Sequence, residues 1–157
     1  MASFNQSYKM QNATCILEFT EPITDKFVFP TVQGGIRTIE IDLAKVTFMS
    51  SFGVKLWIEW HRRMEPGITY LISNASPPFV NNINMVDGFL PKQSKVLSLY
   101  APFISEDGDT DELVLLTLDK DYFADGKWKL PLVKTAEGVT LSEDFFPEKY
   151  FKFLRSV

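Results

Sequence analysis

A single cysteine, Cys15, stands in this chain of 157 residues, and a lone thiol cannot close an internal disulfide. A disulfide-stapled scaffold is therefore excluded, and Cys15 reads as a buried strand residue rather than a nucleophile. Histidine is equally scarce, with His61 the only one. A catalytic triad or a dedicated metal site normally needs more. His61 lies beside Arg62 and Arg63 at a predicted helix end, where it is expected to meet the terminal carbonyls. The chain has no phosphate-cradling glycine loop, no Cys-His pair and no framed pair of carboxylates, and Gly34-Gly35 alone is a turn. These absences argue against an enzyme, and neither a cofactor nor a metal is expected.

Basic residues are in the minority: 16 Lys and Arg against 20 Asp and Glu give a net charge of −4. Binding to nucleic acid needs a basic face, so nucleic acid is not expected as a partner. No apolar run approaches the roughly 20 residues that span a bilayer, so membrane insertion is not expected. The last segment carries too few basic residues for a membrane-surface helix. The opening residues, MASFNQSYKM, lack the charged-then-apolar layout of a secretory signal, and the expected location is cytoplasmic.

What the chain does have is apolar content, 45% hydrophobic and 14% aromatic, enough for a real core. Tyr8 to Met10 and Thr14 to Phe19 alternate like a strand pair turned at Gln11-Asn12-Ala13. Residues 25–35 (DKFVFPTVQGG) leave room only for a stunted or irregular helix, because Pro30 and Gly34-Gly35 interrupt it. Strand Thr38 to Asp42 leads through Val46 to Met49 into two serines that open a helix over Ser51 to Met64, stopped by Pro66-Gly67. Val54, Trp57, Ile58 and Trp60 share one broad face of that helix. A strand over Thr69 to Ser73 follows. Ser76-Pro77-Pro78 then starts a helix through Met85, with Ser76 as its cap and Asp87-Gly88 at its close.

The serine pair can do two jobs. Ser50 can cap the helix by accepting a bond from an unpaired backbone N–H. Ser51 would present its hydroxyl at the positive end of the helix, where phosphate is electrostatically welcome.

The order of these elements resembles the STAS domain of anti-sigma-factor antagonists, the small phosphorylation-switched proteins of bacterial partner-switching systems. The residues that carry the resemblance are Ile41-Asp42-Leu43, Phe48-Met49-Ser50-Ser51-Phe52-Gly53, Ile68 to Ile72 and Asn74-Ala75-Ser76-Pro77. Cys15 to Thr24 resembles the family's second strand and its turn. The likeness covers about residues 7–91. It implies that Ser51 is the phosphoacceptor and that the turn of Ser50, Ser51, Phe52 and Lys55 docks a protein partner. That partner would be a serine-kinase-like anti-sigma factor or a signalling scaffold. The acid that precedes the acceptor in the family is Ser50 here, and the serine that follows it is Phe52. The first change bears on recognition by a kinase. Trp57 and Trp60 read as core residues by default, with a part in the docking surface as the alternative.

Beyond Pro91 the composition changes. Residues 95–103 and 113–117 read as strands separated by an acidic loop, SEDGDTDE. In that loop Asp107, Asp109 and Asp111 imitate a calcium loop that lacks its glycine and its closing glutamate. The steps Ile104 to Gly108 and Lys134 to Gly138 resemble the two knuckles of a zinc ribbon with every cysteine replaced, so no zinc is expected. In place of the metal, pairing of Lys134 with Asp107 or Glu137 and a core of Phe103, Trp128 and Phe146 are expected. Pro147 begins a final helix, in which Tyr150, Phe151, Phe153 and Leu154 lie against that core.

The expected fold is α/β: a STAS-like mixed sheet flanked by helices over 1–92, then a small β-rich appendage over 93–157 with a terminal helix. The expected function is non-enzymatic regulation by protein–protein contact, possible phosphorylation of Ser51 being its switch. The alternative is a constitutive adaptor or scaffold that has lost the switch. A small-ligand sensor finds no motif in the sequence.

Overall fold

Alternation of apolar and polar residues sends every second side chain of a strand to the same face. Three segments of this chain use that pattern to build one wall of a core. The computed structural model describes residues 6–117 and 129–155. Five strands, β1 (Gln6–Gln11), β2 (Thr14–Phe19), β3 (Thr38–Asp42), β4 (Thr69–Ser73) and β5 (Ser94–Val96), form a sheet in that order. β1 is antiparallel to β2, and every later pair is parallel. Cys15, Leu17, Phe19, Ile39, Ile41, Tyr70 and Ile72 are buried on one face. The other face carries the cross-strand row Ile16, Glu40, Leu71 and Lys95, too polar to be the wall of a core.

The turn between β1 and β2 is two residues long, and both Asn12 and Ala13 have positive φ, 48° and 65°. That is the twist a tight hairpin favours. The Ala13 carbonyl accepts hydrogen bonds from the N–H groups of Arg37 and Thr38, which aligns β3 beside the hairpin.

Helix α1 (Ser51–Arg62) links β3 to β4, and α2 (Pro77–Met85) links β4 to β5. They meet on the buried face, where Trp57 packs edge-on against Phe79 and tilted against Phe89. The expected stunted helix over 25–35 does not form at all. Its place is taken by irregular chain whose rings do the packing: Phe27 and Phe29 lie against Phe19, and Phe29 stacks on Trp60 at 5.3 Å. The indole of Trp60 donates to the Pro30 carbonyl, so the non-helical backbone is held by a side chain of α1. Trp57 and Trp60 are both buried, in keeping with the core role that is their default.

The strand expected over 95–103 is two strands in two sheets. β5 ends at Val96, Leu97 donates its N–H to the Ile72 carbonyl, and β6 (Ser98–Ser105) begins a second sheet. Ala75 ties that sheet to the first by exchanging hydrogen bonds with Ser98 and Tyr100. The second sheet is antiparallel in the order β7 (Asp111–Thr117), β6, β9 (Thr140–Glu143), β8 (Val133–Lys134).

Its two hairpin turns share one design. Gly108 and Gly138, both at positive φ, donate to the carbonyls of Ser105 and Thr135 three residues back. The hydroxyls of Ser105 and Thr135 then accept the N–H groups of Thr110 and Val139. Strand register puts both turns at the same end of the sheet, with Ser105 opposite Leu141 and Lys134 opposite Thr140.

The stabilising contacts of this second sheet differ from those expected. Neither Asp107 nor Glu137 pairs with Lys134 among the described residues. Asp107 turns instead to the hydroxyl of Ser105 at 2.6 Å and the N–H of Asp109, which hold its carboxyl below the usual carboxylate range. Phe103 is buried as expected, but its ring partner is Phe145 at 5.9 Å. Phe146 is 74% exposed, and Trp128 lies outside the described residues. The chain end forms a short helix α3 (Pro147–Tyr150) and a 3-10 turn (Lys152–Arg155). Tyr150 and Phe151 are buried, and the Tyr150 hydroxyl donates to the Tyr100 carbonyl. Burial and desolvation push the Tyr150 hydroxyl far above its ordinary pKa, so it remains a donor at neutral pH.

Candidate functional site

The serine turn sits at the carboxyl end of the parallel strands. Asp42, the last residue of β3, accepts the N–H of Ala44 and the amide of Asn74, each at 2.9 Å. Asn74 adopts a left-handed conformation, φ 59°, tolerated well by a short polar side chain. Its N–H reaches the Ser98 hydroxyl at 2.8 Å, and that hydroxyl returns a bond to the Asn74 carbonyl oxygen of the side chain. One polar chain therefore fixes the ends of β3 and β4 to the start of β6. The Asn-x-Ser-Pro pattern pointed to Asn74, but no local signal marked Ser98, which only the change of sheet at Leu97 brings there.

From Asp42 the chain runs through Leu43 and Val46, both buried, to Met49. Ile23 grips it from the other side. The Ile23 N–H donates to the Phe48 carbonyl, and the Ser50 N–H donates to the Ile23 carbonyl. With its backbone fixed in extended conformation (φ −79°, ψ 162°), Ser50 caps α1 by accepting the Gly53 N–H at 2.9 Å. This is the capping role expected of it.

Ser51 and Phe52 follow as the first two residues of the helix, and both are exposed. Helix geometry points their own N–H groups out of the same end. Phe52 is 51% exposed and Phe48, before the cap, 54% exposed. The Lys55 ammonium lies 5.6 Å from the centre of the Phe52 ring and 4.0 Å from Glu59. The first turn of α1 contains no acidic residue. The turn thus carries an exposed serine in a stretch with two half-exposed aromatic residues, Phe48 and Phe52, and a cation over the second ring. Sequence reading named Phe48 as part of the motif but not as a member of the docking turn; the bridge between Ile23 and Met49 turns its neighbour inward and leaves Phe48 outside.

Two other expected roles are different in the structure. Ser76 occupies the cap position of α2, yet its hydroxyl makes no cap bond and is buried without a partner among the described residues. Pro77 and Pro78 remove the first two N–H donors of that helix. His61 does not meet the carbonyls at the end of α1. It is buried, and its Nε2 lies 3.0 Å from the Phe89 carbonyl, which also accepts from the Trp57 indole. Since a carbonyl only accepts, Nε2 carries the proton. Desolvation lowers the His61 pKa, more than the Phe89 carbonyl raises it, and the Arg62 charge lowers it further.

No family model, curated protein or solved structure matches this chain. Among the described residues no group of His, Cys, Asp and Glu could hold a metal ion, and no helix is long and apolar enough to cross a membrane.

Proposed function

We propose that this chain is a regulatory protein–protein interaction module of the anti-sigma-factor antagonist type, in which the turn of Phe48, Ser50, Ser51, Phe52 and Lys55 docks a protein partner. The observation that carries this reading is the exposure of Ser51 between Phe48 and Phe52 at the start of a capped helix. Aromatic residues, phenylalanine among them, are enriched at the cores of protein interfaces. Ser50 is already consumed by capping, so Ser51 is the hydroxyl of the pair left for modification. A phosphate there would add nearly two negative charges. The helix terminus favours that charge, and an apolar or acidic partner seated on the same turn opposes it.

The test is capture of the partner from native cells by tagged protein, followed by binding measurements with purified components. Ser51→Glu is expected to weaken capture at least tenfold and Ser51→Ala to leave it within threefold. Phe52→Ala weakens it with either residue at 51. Equal binding by both Ser51 variants removes Ser51 from the mechanism. Undiminished binding by Phe52→Ala removes the docking face itself.

A constitutive adaptor is the second reading, favoured by the lack of any acid in the first turn of α1. Intact-mass measurement on protein from its native cells separates the two. A stoichiometric phosphate on Ser51 supports the switch, and unmodified protein under every growth condition supports the adaptor.

A further inference from the structure

At the end of the sheet opposite the serine turn, the last turn of α1, the start of β4 and the segment after α2 line an open cavity of about 650 Å³. That volume is in the range of sites for small organic ligands. Met64, Ile68, Leu90 and Pro91 supply apolar wall, and His61 and Tyr70 line the same cavity. Tyr70 is 4% exposed and His61 9%, with their rings edge-on at 6.4 Å.

Two features mark this as more than a fold in the surface. Buried tyrosine hydroxyls usually find a hydrogen-bond partner. The Tyr70 hydroxyl bonds to none of the described residues, and unlike the Ser76 hydroxyl it is not sealed off, so its oxygen is within reach of a molecule in the cavity. Burial pushes its pKa up to about 12, and at neutral pH it is a phenol able to donate, as an unshifted tyrosine also is. The second feature is charge. Arg62 and Lys92 line the cavity, and neither is in an ion pair with a described residue. Gly88 makes room for the guanidinium: a Cβ at that glycine would stand 2.7 Å from the Arg62 Nη2. Glu65 is the one carboxylate of the lining, so cations exceed anions. At the end of α1 the carbonyls of Glu59, Trp60 and His61 accept the N–H groups of Arg63 and Met64, and the two side-chain cations oppose the negative end of the helix dipole.

We infer that this cavity is a binding site for a small organic anion, an aromatic or similarly flat apolar body bearing one phosphate or carboxylate. The body lies against Met64, Leu90 and the Tyr70 ring. The anionic head meets Arg62 and Lys92, and the Tyr70 hydroxyl donates to one of its oxygens. The inference is independent of the docking role given to Ser51, which is at the other end of α1.

Isothermal titration of the full chain with phenyl phosphate, benzoate and inorganic phosphate tests it. At least one of the two aromatic anions is expected to bind with Kd below about 1 mM and at least tenfold more tightly than inorganic phosphate. Which of the two binds better identifies the head group. Lys92→Gln and Arg62→Gln, both changes at exposed side chains, each weaken binding at least fivefold. Tyr70→Phe weakens it about threefold to tenfold, the loss of one hydrogen bond to a charged oxygen. In two-dimensional NMR the amides of Gly88 and Gln93 shift on binding and that of Ser51 does not. Lack of binding by both aromatic anions at 10 mM overturns the inference, as does binding unaffected by the two cation variants. Should Tyr70→Phe fold poorly, the surface variants still decide the matter.

Discussion

A methyl group placed on Gly53 would stand 1.9 Å from the carbonyl oxygen of Ile23. The first turn of α1 is pressed against the backbone of the loop that follows β2, closer than any side chain permits. Ile23 uses that same oxygen to accept the Ser50 N–H, so this contact sets the position of the serine turn.

Gly53→Ala is therefore expected to destabilise the protein by more than about 3 kcal/mol, because the clash is with backbone that cannot swing aside. Helix propensity alone gives the opposite sign, a gain of about 1 kcal/mol for alanine in a helix. Urea unfolding of the two proteins decides between them. A midpoint raised or unchanged in the variant would show that the loop and the helix are not in this contact.

Ala13→Gly tests the hairpin. Ala13 has φ 65°, and a left-handed conformation costs a residue with a Cβ about 1–2 kcal/mol. Part of that is returned by the greater freedom of glycine in the unfolded chain. A net stabilisation of about 0.5–1 kcal/mol is expected, read as a rise in the urea midpoint with an unchanged slope.

Asn84 fastens the chain end to α2. Its amide donates to the Tyr150 carbonyl at 2.9 Å, and its side-chain oxygen accepts the Phe153 N–H at 3.1 Å. Asn84→Ala should cost about 1–3 kcal/mol by leaving both groups unpaired. Hydrogen exchange at Phe153 should accelerate, while exchange at Ile41 in the centre of the first sheet keeps its rank as the slower site. Unchanged protection at Phe153 would refute the fastening role.

The pH dependence follows from His61, whose pKa is lowered from 6.5 chiefly by desolvation. Above 6.5 the imidazole is neutral in folded and unfolded chain alike, and its full contribution is present. As the pH falls through 6.5 the unfolded chain takes up a proton that the folded chain refuses, so stability is lost on acidification. Urea midpoints at pH 7.5 and 5.5 should therefore fall further for the native chain than for His61→Gln. An equal fall would mean that His61 is as readily protonated in the fold as outside it.

Strand positions were legible because their signal is local. The alternation in Thr14–Phe19, Thr38–Asp42 and Thr69–Ser73 is a property of neighbours, and each segment forms the strand it predicts. The start of α1 was equally plain, since Ser50 stands three residues before Gly53 and its hydroxyl accepts the Gly53 N–H. The exposed state of Ser51 is part of the same short pattern. Residues 25–35 mark the limit of such reading. Pro30 and the paired glycines show that a helix is interrupted there, but they do not show what packs in its stead.

What the sequence by itself determined is the set of mixed α and β elements and the place of the serine turn at a helix start. Tertiary structure alone decided the rest. The change of sheet at Leu97, the polar chain from Asp42 through Asn74 to Ser98, the burial of His61 against Phe89 and the outward face of Phe48 all depend on segments 20 or more residues apart. The cavity at Tyr70 is of the same kind. Its lining comes from α1, β4 and the segment before β5, each unremarkable in sequence. Spacing along the chain encodes what a residue does to its own turn or strand, whereas these contacts exist only once distant backbones have been brought to one place.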